Sequence, residues 1–181
     1  MKRVFILDKS GSMYNTIEDT IGGYNAFIED QKSLGGTVTL VTFNNTVDTV
    51  YTDVPIEQVE PLSRENYVPQ GNTALYDAIG KVLTDGTEPD TVIIMTDGVE
   101  NSSSKYTADS VRDLIRMYTE KGVLFMYLGA KHDAFYESDA LGIHRANAMN
   151  YECQHTPNAL TALSQCIRIR SAGDHDTPLE Y

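Results

Sequence analysis

Residues 3–12 read Arg3-Val4-Phe5-Ile6-Leu7-Asp8-Lys9-Ser10-Gly11-Ser12. Val4 to Leu7 are all apolar, so a strand over residues 3–8 is predicted to be covered on both faces and to sit centrally in its sheet. Val92 to Met95 and Val123 to Leu128 have the same character and predict central strands over residues 91–96 and 123–128. Segments of helical period separate these runs. The alternation predicts an α/β, Rossmann-like fold: a mostly parallel six-stranded sheet with one antiparallel edge strand and helices on both faces.

Working outward, Ile17, Ile21, Tyr24 and Ile28 recur at helical spacing and predict a helix over residues 14–33, weakened by about 1 kcal/mol for each of Gly22 and Gly23. Residues 37–43 and 46–51 read as strands. The Asn44-Asn45 link between them predicts a hairpin with a two-residue type I′ turn, its more polar strand at the sheet edge. Residues 53–72 hold Pro55, Pro61 and Pro69, show no sustained period, and read as a long irregular connection ending at Gly71-Asn72. A helix follows from Thr73, with Leu75, Ile79, Val82 and Leu83 inward and Asp85-Gly86 closing it. Val111, Leu114, Ile115 and Tyr118 mark another helix, capped by Gly122. A short helix over 132–140, a strand over 146–151 and a helix over 158–170 with Leu160, Leu163 and Ile167 inward complete the pattern. Residues 1–170 are expected to form one domain, and the polar residues 171–181 a mobile tail.

Composition narrows the function classes. Of 181 residues, 41% are hydrophobic and 22% charged, the balance of a globular chain. A formal net charge of −12 repels phosphate backbones and anionic lipid, and no Lys/Arg cluster overrides that field, so neither nucleic acid nor membrane is expected as a partner. The apolar runs are too short to span a bilayer, and Met1-Lys2-Arg3 leads into Asp8 after only four apolar residues, which predicts a cytoplasmic protein. Cys153 and Cys166 lack metal or redox spacing and read as reduced thiols.

The chemistry concentrates where strands end. Asp8, Ser10 and Ser12 leave the first central strand at alternate positions within one turn, and Gly11 lets the chain fold back between the serines. Asp97 ends the neighbouring strand 91–96, and parallel pairing places it at the same sheet edge as Asp8. The chain builds the hairpin flank before crossing to the other, so strand order reverses between these two strands, where ligands collect in open α/β sheets. Thr73 adds an oxygen at the start of its helix. Asp8, Ser10, Ser12, Thr73 and Asp97 therefore form a candidate metal site of oxygen donors alone. Hydroxyls with a few carboxylates suit a hard cation, Mg²⁺ first, with Mn²⁺ or Ca²⁺ as substitutes. Neutral hydroxyl ligands leave the ion much of its charge, so it still seeks an anion.

Asp8-Lys9-Ser10-Gly11-Ser12, Gly71-Asn72-Thr73-Ala74-Leu75-Tyr76-Asp77 and Thr96-Asp97-Gly98 together resemble the three parts of the metal-ion-dependent adhesion site (MIDAS) of von Willebrand factor type A (vWA) domains. The resemblance runs from about residue 3 to about residue 170, and all five matching positions are filled. It implies that Ser10 and Ser12 bind the metal directly, Thr73 directly or through water, and Asp8 and Asp97 often through water. A carboxylate from a protein partner would complete the shell. The chain looks most like stand-alone intracellular members of bacteria and phages, which implies a cytoplasmic or virion-associated protein.

Other readings compete. Taken singly, Asp8 to Ser12 is an ordinary strand-to-helix turn with a serine cap, and Gly71-Asn72-Thr73 a loop with a threonine cap. Glu100, Asn101 and Ser102 to Ser104 read as a solvated polar loop, and Lys9 as a solvated side chain. His132, His144, His155 and His175 have no ligand spacing and read as structural or surface residues. A Mg²⁺-dependent phosphohydrolase of the haloacid dehalogenase type would use Asp8 as nucleophile, but Ser10 stands where its acid-base aspartate belongs. A scaffold subunit of a virion, or an adaptor of an AAA+ ATPase, would keep the site as structure only. The expectation is a binding module and not an enzyme.

Overall fold

A computed structural model describes residues 1–130, 134–151, 156–172 and 178. Its strands are β1 (Lys2–Asp8), β2 (Thr37–Phe43), β3 (Val47–Pro55), β4 (Thr91–Thr96), β5 (Leu124–Ala130) and β6 (Ala148–Tyr151). Its helices are α1 (Ile17–Gln31), α2 (Leu75–Thr84), α3 (Ala108–Glu120), α4 (Ala134–Ala140) and α5 (Thr156–Ser171). The strands make one sheet in the order β3-β2-β1-β4-β5-β6. Only the β2–β3 pair is antiparallel.

The run Val4–Leu7 within β1 is apolar because both faces of the strand are covered. Phe5 and Leu7 point into a core shared with Tyr24 and Phe27 of α1 and Leu160 and Leu163 of α5. Val4 and Ile6 point the other way, against Leu75, Ile79 and Val82 of α2 and Val111 and Ile115 of α3. Each such side chain, fully buried, contributes about 1.5–3 kcal/mol. Phe5 also meets the rings of Tyr24 and Phe27 edge-on, at centroid distances of 5.1 and 5.7 Å.

α1, the helix with two adjacent glycines, is held from outside. Gln31 at its end accepts from Arg3 Nε at 3.1 Å and donates to Ser164 Oγ of α5 at 2.6 Å. Arg3 is buried, and its Nη1 donates to Gly35 O at 2.8 Å; burial lowers its pKa while Asp90 opposes the shift.

Several expectations need correction. The helix foreseen over 14–33 is preceded by a 3₁₀ turn at Gly11–Thr16, with the α-helix proper at Ile17–Gln31. The hairpin turn spans Asn44, Asn45 and Thr46, because Phe43 pairs with Val47. It is not type I′: among the described residues Asp53 is the one non-glycine with positive φ. Asn44 Oδ1 instead accepts from Thr46 N at 3.0 Å and Asn44 N donates to Thr46 O at 2.9 Å, so the asparagine's side chain and main chain shape the turn. β3 runs on to Pro55, past a register shift near Leu40, so the irregular connection is shorter than foreseen and holds a 3₁₀ turn at Ile56–Gln58.

α4 and β6 fall within the spans foreseen at 132–140 and 146–151. Cys153, His132, His155, His175 and most of the 171–181 segment lie outside the described residues. Cys166 is buried in the core, and His144 Nδ1 accepts from Ala146 N at 3.2 Å. Among the described residues no helix is long and apolar enough to cross a membrane.

Candidate metal centre

Strand pairing alone brings the carboxylates together. β1 and β4 are parallel neighbours in register from Arg3↔Thr91 to Leu7↔Met95, so Asp8 and the residues after Thr96 emerge at one edge. Both Asp8 and Asp97 are buried. β1 lies between β2 and β4, so this edge is also the place where strand order reverses.

The chain after Asp8 is pinned as it leaves the sheet. Lys9 N donates to Phe43 O at 2.7 Å, Gln70 N to Lys9 O at 2.8 Å, and Gly11 N to Gly71 O at 2.9 Å. A Cβ on Gly11 would stand 3.3 Å from Gly71 O, so the two loops meet at nearly the closest spacing side chains tolerate. Gly71 has φ +76, and a Cβ there would lie 2.0 Å from Asn45 Oδ1. Asn45 Oδ1 accepts from Asn72 N at 2.9 Å and Ala74 N donates to Asn44 O at 2.8 Å, so the hairpin tip holds both sides of Thr73.

The side-chain oxygens then form one connected cluster. Asp8 Oδ1 accepts from Ser10 N at 2.6 Å, and Asp8 Oδ2 from Thr96 Oγ1 at 2.6 Å. Ser10 Oγ and Ser12 Oγ are 3.0 Å apart, and Ser12 Oγ donates to Asp97 Oδ1. Thr73 joins at Gly98: a Cβ placed on that glycine would lie 3.1 Å from Thr73 Oγ1, 3.5 Å from Ser12 Oγ and 3.9 Å from Asp8 Oδ2. Oxygens of Asp8, Ser12 and Thr73, from two distant stretches, thus surround a hollow on a third, where Gly98 has no side chain. All five foreseen residues belong to this cluster.

Burial raises the pKa of Asp8, the bonds from Thr96 and Ser10 lower it, and the nearby Asp97 charge raises it again. Two carboxylates held this close are in electrostatic tension that a cation relieves. Tyr67 Oη donates to Asp8 O at 2.6 Å; burial, then the Asp8 and Asp97 charges, push its pKa well up and keep it a donor.

The loop after Asp97 is not the solvated stretch foreseen. Glu100 Oε1 accepts from Ser102 N at 2.8 Å and Ser103 N at 2.7 Å, while Oε2 accepts from Tyr76 N at 3.0 Å. Asn101 Oδ1 accepts from Thr73 N at 2.9 Å. Asp77 answers from α2, accepting from Ser104 N at 3.0 Å and from Lys105 N and Tyr106 N at 2.9 Å each. Helix start and loop are zipped together by carboxylates and amides meeting backbone N–H groups. The signal was available: Glu100 and Asn101 follow Asp97 closely, and the first turn of α2 has N–H groups in want of acceptors. Lys9 differs too, since its Nζ reaches Asp48 Oδ2 at 2.5 Å.

The cluster fits a hard cation by its chemistry, being hydroxyls and carboxylates only. Among the described residues no group of three or more His, Cys, Asp or Glu side chains gathers to offer an alternative metal site.

No family model matches the sequence, and no curated protein does. Solved structures do match in fold. The vWF domain of the type V pili tip protein Mfa5 from Porphyromonas gingivalis aligns with TM-score 0.68 and 10% identity, over 93% of this chain and 95% of that one. Proximal thread matrix protein 1 from the mussel byssus, with a zinc-occupied MIDAS motif, aligns with TM-score 0.66 and 15% identity, over 90% of this chain and 46% of that one. A von Willebrand factor type A protein from Catenulispora acidiphila aligns with TM-score 0.57 and 16% identity, over 90% and 41%. The chain spans less than half the length of the last two. Its fold is that of vWA domains.

Proposed function

We propose that residues 1–170 act as a divalent-cation-dependent protein-binding module, in which Asp8, Ser10, Ser12, Thr73 and Asp97 hold one Mg²⁺ and a partner's Asp or Glu carboxylate completes its shell. The hollow beside Gly98, with Thr73 Oγ1, Ser12 Oγ and Asp8 Oδ2 all within 4 Å of one point, carries this reading. The byssus protein with a zinc-occupied motif supports a divalent ion in this fold, and the donor set supports Mg²⁺ over softer metals. Bound there, the ion would supply a charge that the three neutral hydroxyls do not offset and that the aspartates, where they act through water, offset only in part.

Binding is favoured over phosphoryl transfer by the residue two positions after Asp8. Ser10, with no carboxylate, stands where the acid-base aspartate of a haloacid dehalogenase enzyme belongs. Among the described residues, the groups around the hollow are the three hydroxyls and the two aspartates of the proposed ligand set, which hold and orient.

The test is affinity capture with full-length protein in Mg²⁺ and in chelator, alongside Thr73→Ala. Capture that requires Mg²⁺ and is lost in the variant supports the module. Capture indifferent to chelator, or turnover of a phosphate ester that vanishes in Asp8→Asn, overturns it.

A further inference from the structure

The rim of the site has a character opposite to that of the molecule. The chain carries a net charge of −12, yet within three residues of Asp8, Ser10, Ser12, Thr73 or Asp97 the only other charged side chains are Lys9 and Glu100. Both are engaged, Lys9 with Asp48 and Glu100 with the N–H groups of Tyr76, Ser102 and Ser103. The exposed side chains on these loops are uncharged: Gln70, Asn72 and Asn101 among the polar ones.

Three large hydrophobic side chains stand out on the same loops. Tyr14 is 67% exposed, Val68 55% and Val99 52%. Tyr14 lies two residues after Ser12, and Val99 two after Asp97. Val68 follows Tyr67, whose hydroxyl holds Asp8 O, and precedes Gln70, whose N–H holds Lys9 O. Each of the three loops that supply oxygens or brace them therefore also presents one apolar side chain to solvent. At Tyr14 and Val68 folding does not require this, since their chain neighbours Met13 and Tyr67 already supply the buried anchors.

We infer that the partner is a polypeptide segment carrying a single Asp or Glu flanked by apolar side chains, its carboxylate on the cation and its flanks on Tyr14, Val68 and Val99. The inference rests on the cation reading above and specifies its ligand. Charge complementarity selects this occupant: a polyacidic stretch meets the field of a −12 body, and among the described residues within three of the five oxygen donors the one basic side chain, Lys9, is already paired with Asp48, whereas one carboxylate meets only the ion. Apolar flanks also exclude water from the ion–carboxylate contact and so strengthen it, as a ring of weak contacts does around an interface centre.

Amide chemical-shift titration of the full ¹⁵N-labelled chain tests this. Mg²⁺ is added first, then one of four peptides of equal length centred on Leu-Glu-Phe, Ser-Glu-Gly, Leu-Gln-Phe or Glu-Glu-Glu. Leu-Glu-Phe is expected to move the amides of residues 11–15, 68, 70–73 and 98–101 only with Mg²⁺ present, with an affinity about tenfold above Ser-Glu-Gly. Leu-Gln-Phe is expected to be silent, and V68S combined with V99S to erase the preference while keeping the Mg²⁺ response. Equal affinities for Leu-Glu-Phe and Ser-Glu-Gly, tighter binding of Glu-Glu-Glu, or no peptide binding to the Mg²⁺ form overturns the inference and leaves the cation reading standing. Self-association driven by Mg²⁺ alone, which puts a second copy on the rim, overturns it as well. Absence of any Mg²⁺ response at these amides overturns the cation reading itself.

Discussion

Thr73 and Asn101 clasp each other through reciprocal bonds: Asn101 N donates to Thr73 O at 3.0 Å, and Thr73 N donates to Asn101 Oδ1 at 2.9 Å. Thr73 comes from the loop before α2 and Asn101 from the loop after β4, so the clasp sets the spacing between Thr73 Oγ1 and Asp97. Asn101→Ala removes the side-chain half. It is expected to weaken Mg²⁺ binding about tenfold, the equivalent of one lost hydrogen bond of roughly 1.4 kcal/mol, with the fold intact. Asn101→Asp keeps the acceptor and restores much of the affinity; calorimetric titration with Mg²⁺ reads both.

Thr73→Ala deletes one oxygen from the cluster without disturbing the main-chain bonds around it. Thermal unfolding without divalent ions should match the wild type to within about 1 kcal/mol. The wild type alone should then gain stability as Mg²⁺ is raised, by about 2.7 kcal/mol at one hundred times the dissociation constant. A variant that gains equally would remove Thr73 from the ligand set.

Gly98→Ala would place a methyl group in the hollow, 3.1 Å from Thr73 Oγ1 and 3.5 Å from Ser12 Oγ. The backbone at Gly98 does not have positive φ, so alanine itself is tolerated there. The expected outcome is loss of the Mg²⁺-dependent rise in melting temperature with little change in the ion-free value, measured by calorimetry.

Gly22→Ala and Gly80→Ala should act in opposite directions. Both lie in helices, where alanine is favoured by up to about 1 kcal/mol. Around Gly22 of α1 no atom stands within 4 Å of a new Cβ, so Gly22→Ala is expected to stabilise. At Gly80 of α2 a Cβ would lie 2.3 Å from Cγ of the Tyr106 ring, so Gly80→Ala is expected to destabilise by about 1–3 kcal/mol. Chemical denaturation distinguishes the two signs.

Asp77 links pH to the same region. Burial raises its pKa, but the N–H groups of Ser104, Tyr106 and Lys105 outweigh burial and leave it below the ordinary value. A carboxyl depressed by folding stabilises above its unfolded pKa of about 4, and that stability fades as pH falls through the lower folded value. Asp77→Asn should therefore cost about 1–3 kcal/mol at neutral pH, and the gap to wild type should narrow below about pH 4. Melting curves of both proteins across that range test it, and a gap that widens on acidification counts against the assignment.

What could be read beforehand, and what could not, divides along physical lines. Val4 to Leu7 mark β1 because the middle of a strand covered on both faces carries apolar residues on each, and Asp8 and Asp97 come to one edge because β1 and β4 are parallel neighbours. The hairpin turn departs from expectation because Asn44-Asn45 suits a two-residue turn on local grounds, whereas Asn45 is engaged by Asn72 across a long sequence separation. The same holds for Glu100, whose partner Tyr76 N lies 24 residues away. Period and turn chemistry are local; the braces around the site are not. Gly98 was legible only as a turn residue, since the oxygens it accommodates come from residues 8, 12 and 73.

Hairpin turns at a sheet edge ordinarily accept insertions, because nothing downstream depends on their length. Here Asn44 O receives Ala74 N and Asn45 Oδ1 receives Asn72 N, on either side of Thr73. The tip serves as a gauge block, and one residue more or fewer between Phe43 and Val47 would shift Thr73 off its station while the sheet stayed whole. Loop-length variation at this turn would thus displace one of the five clustered oxygens without altering the sheet that carries it.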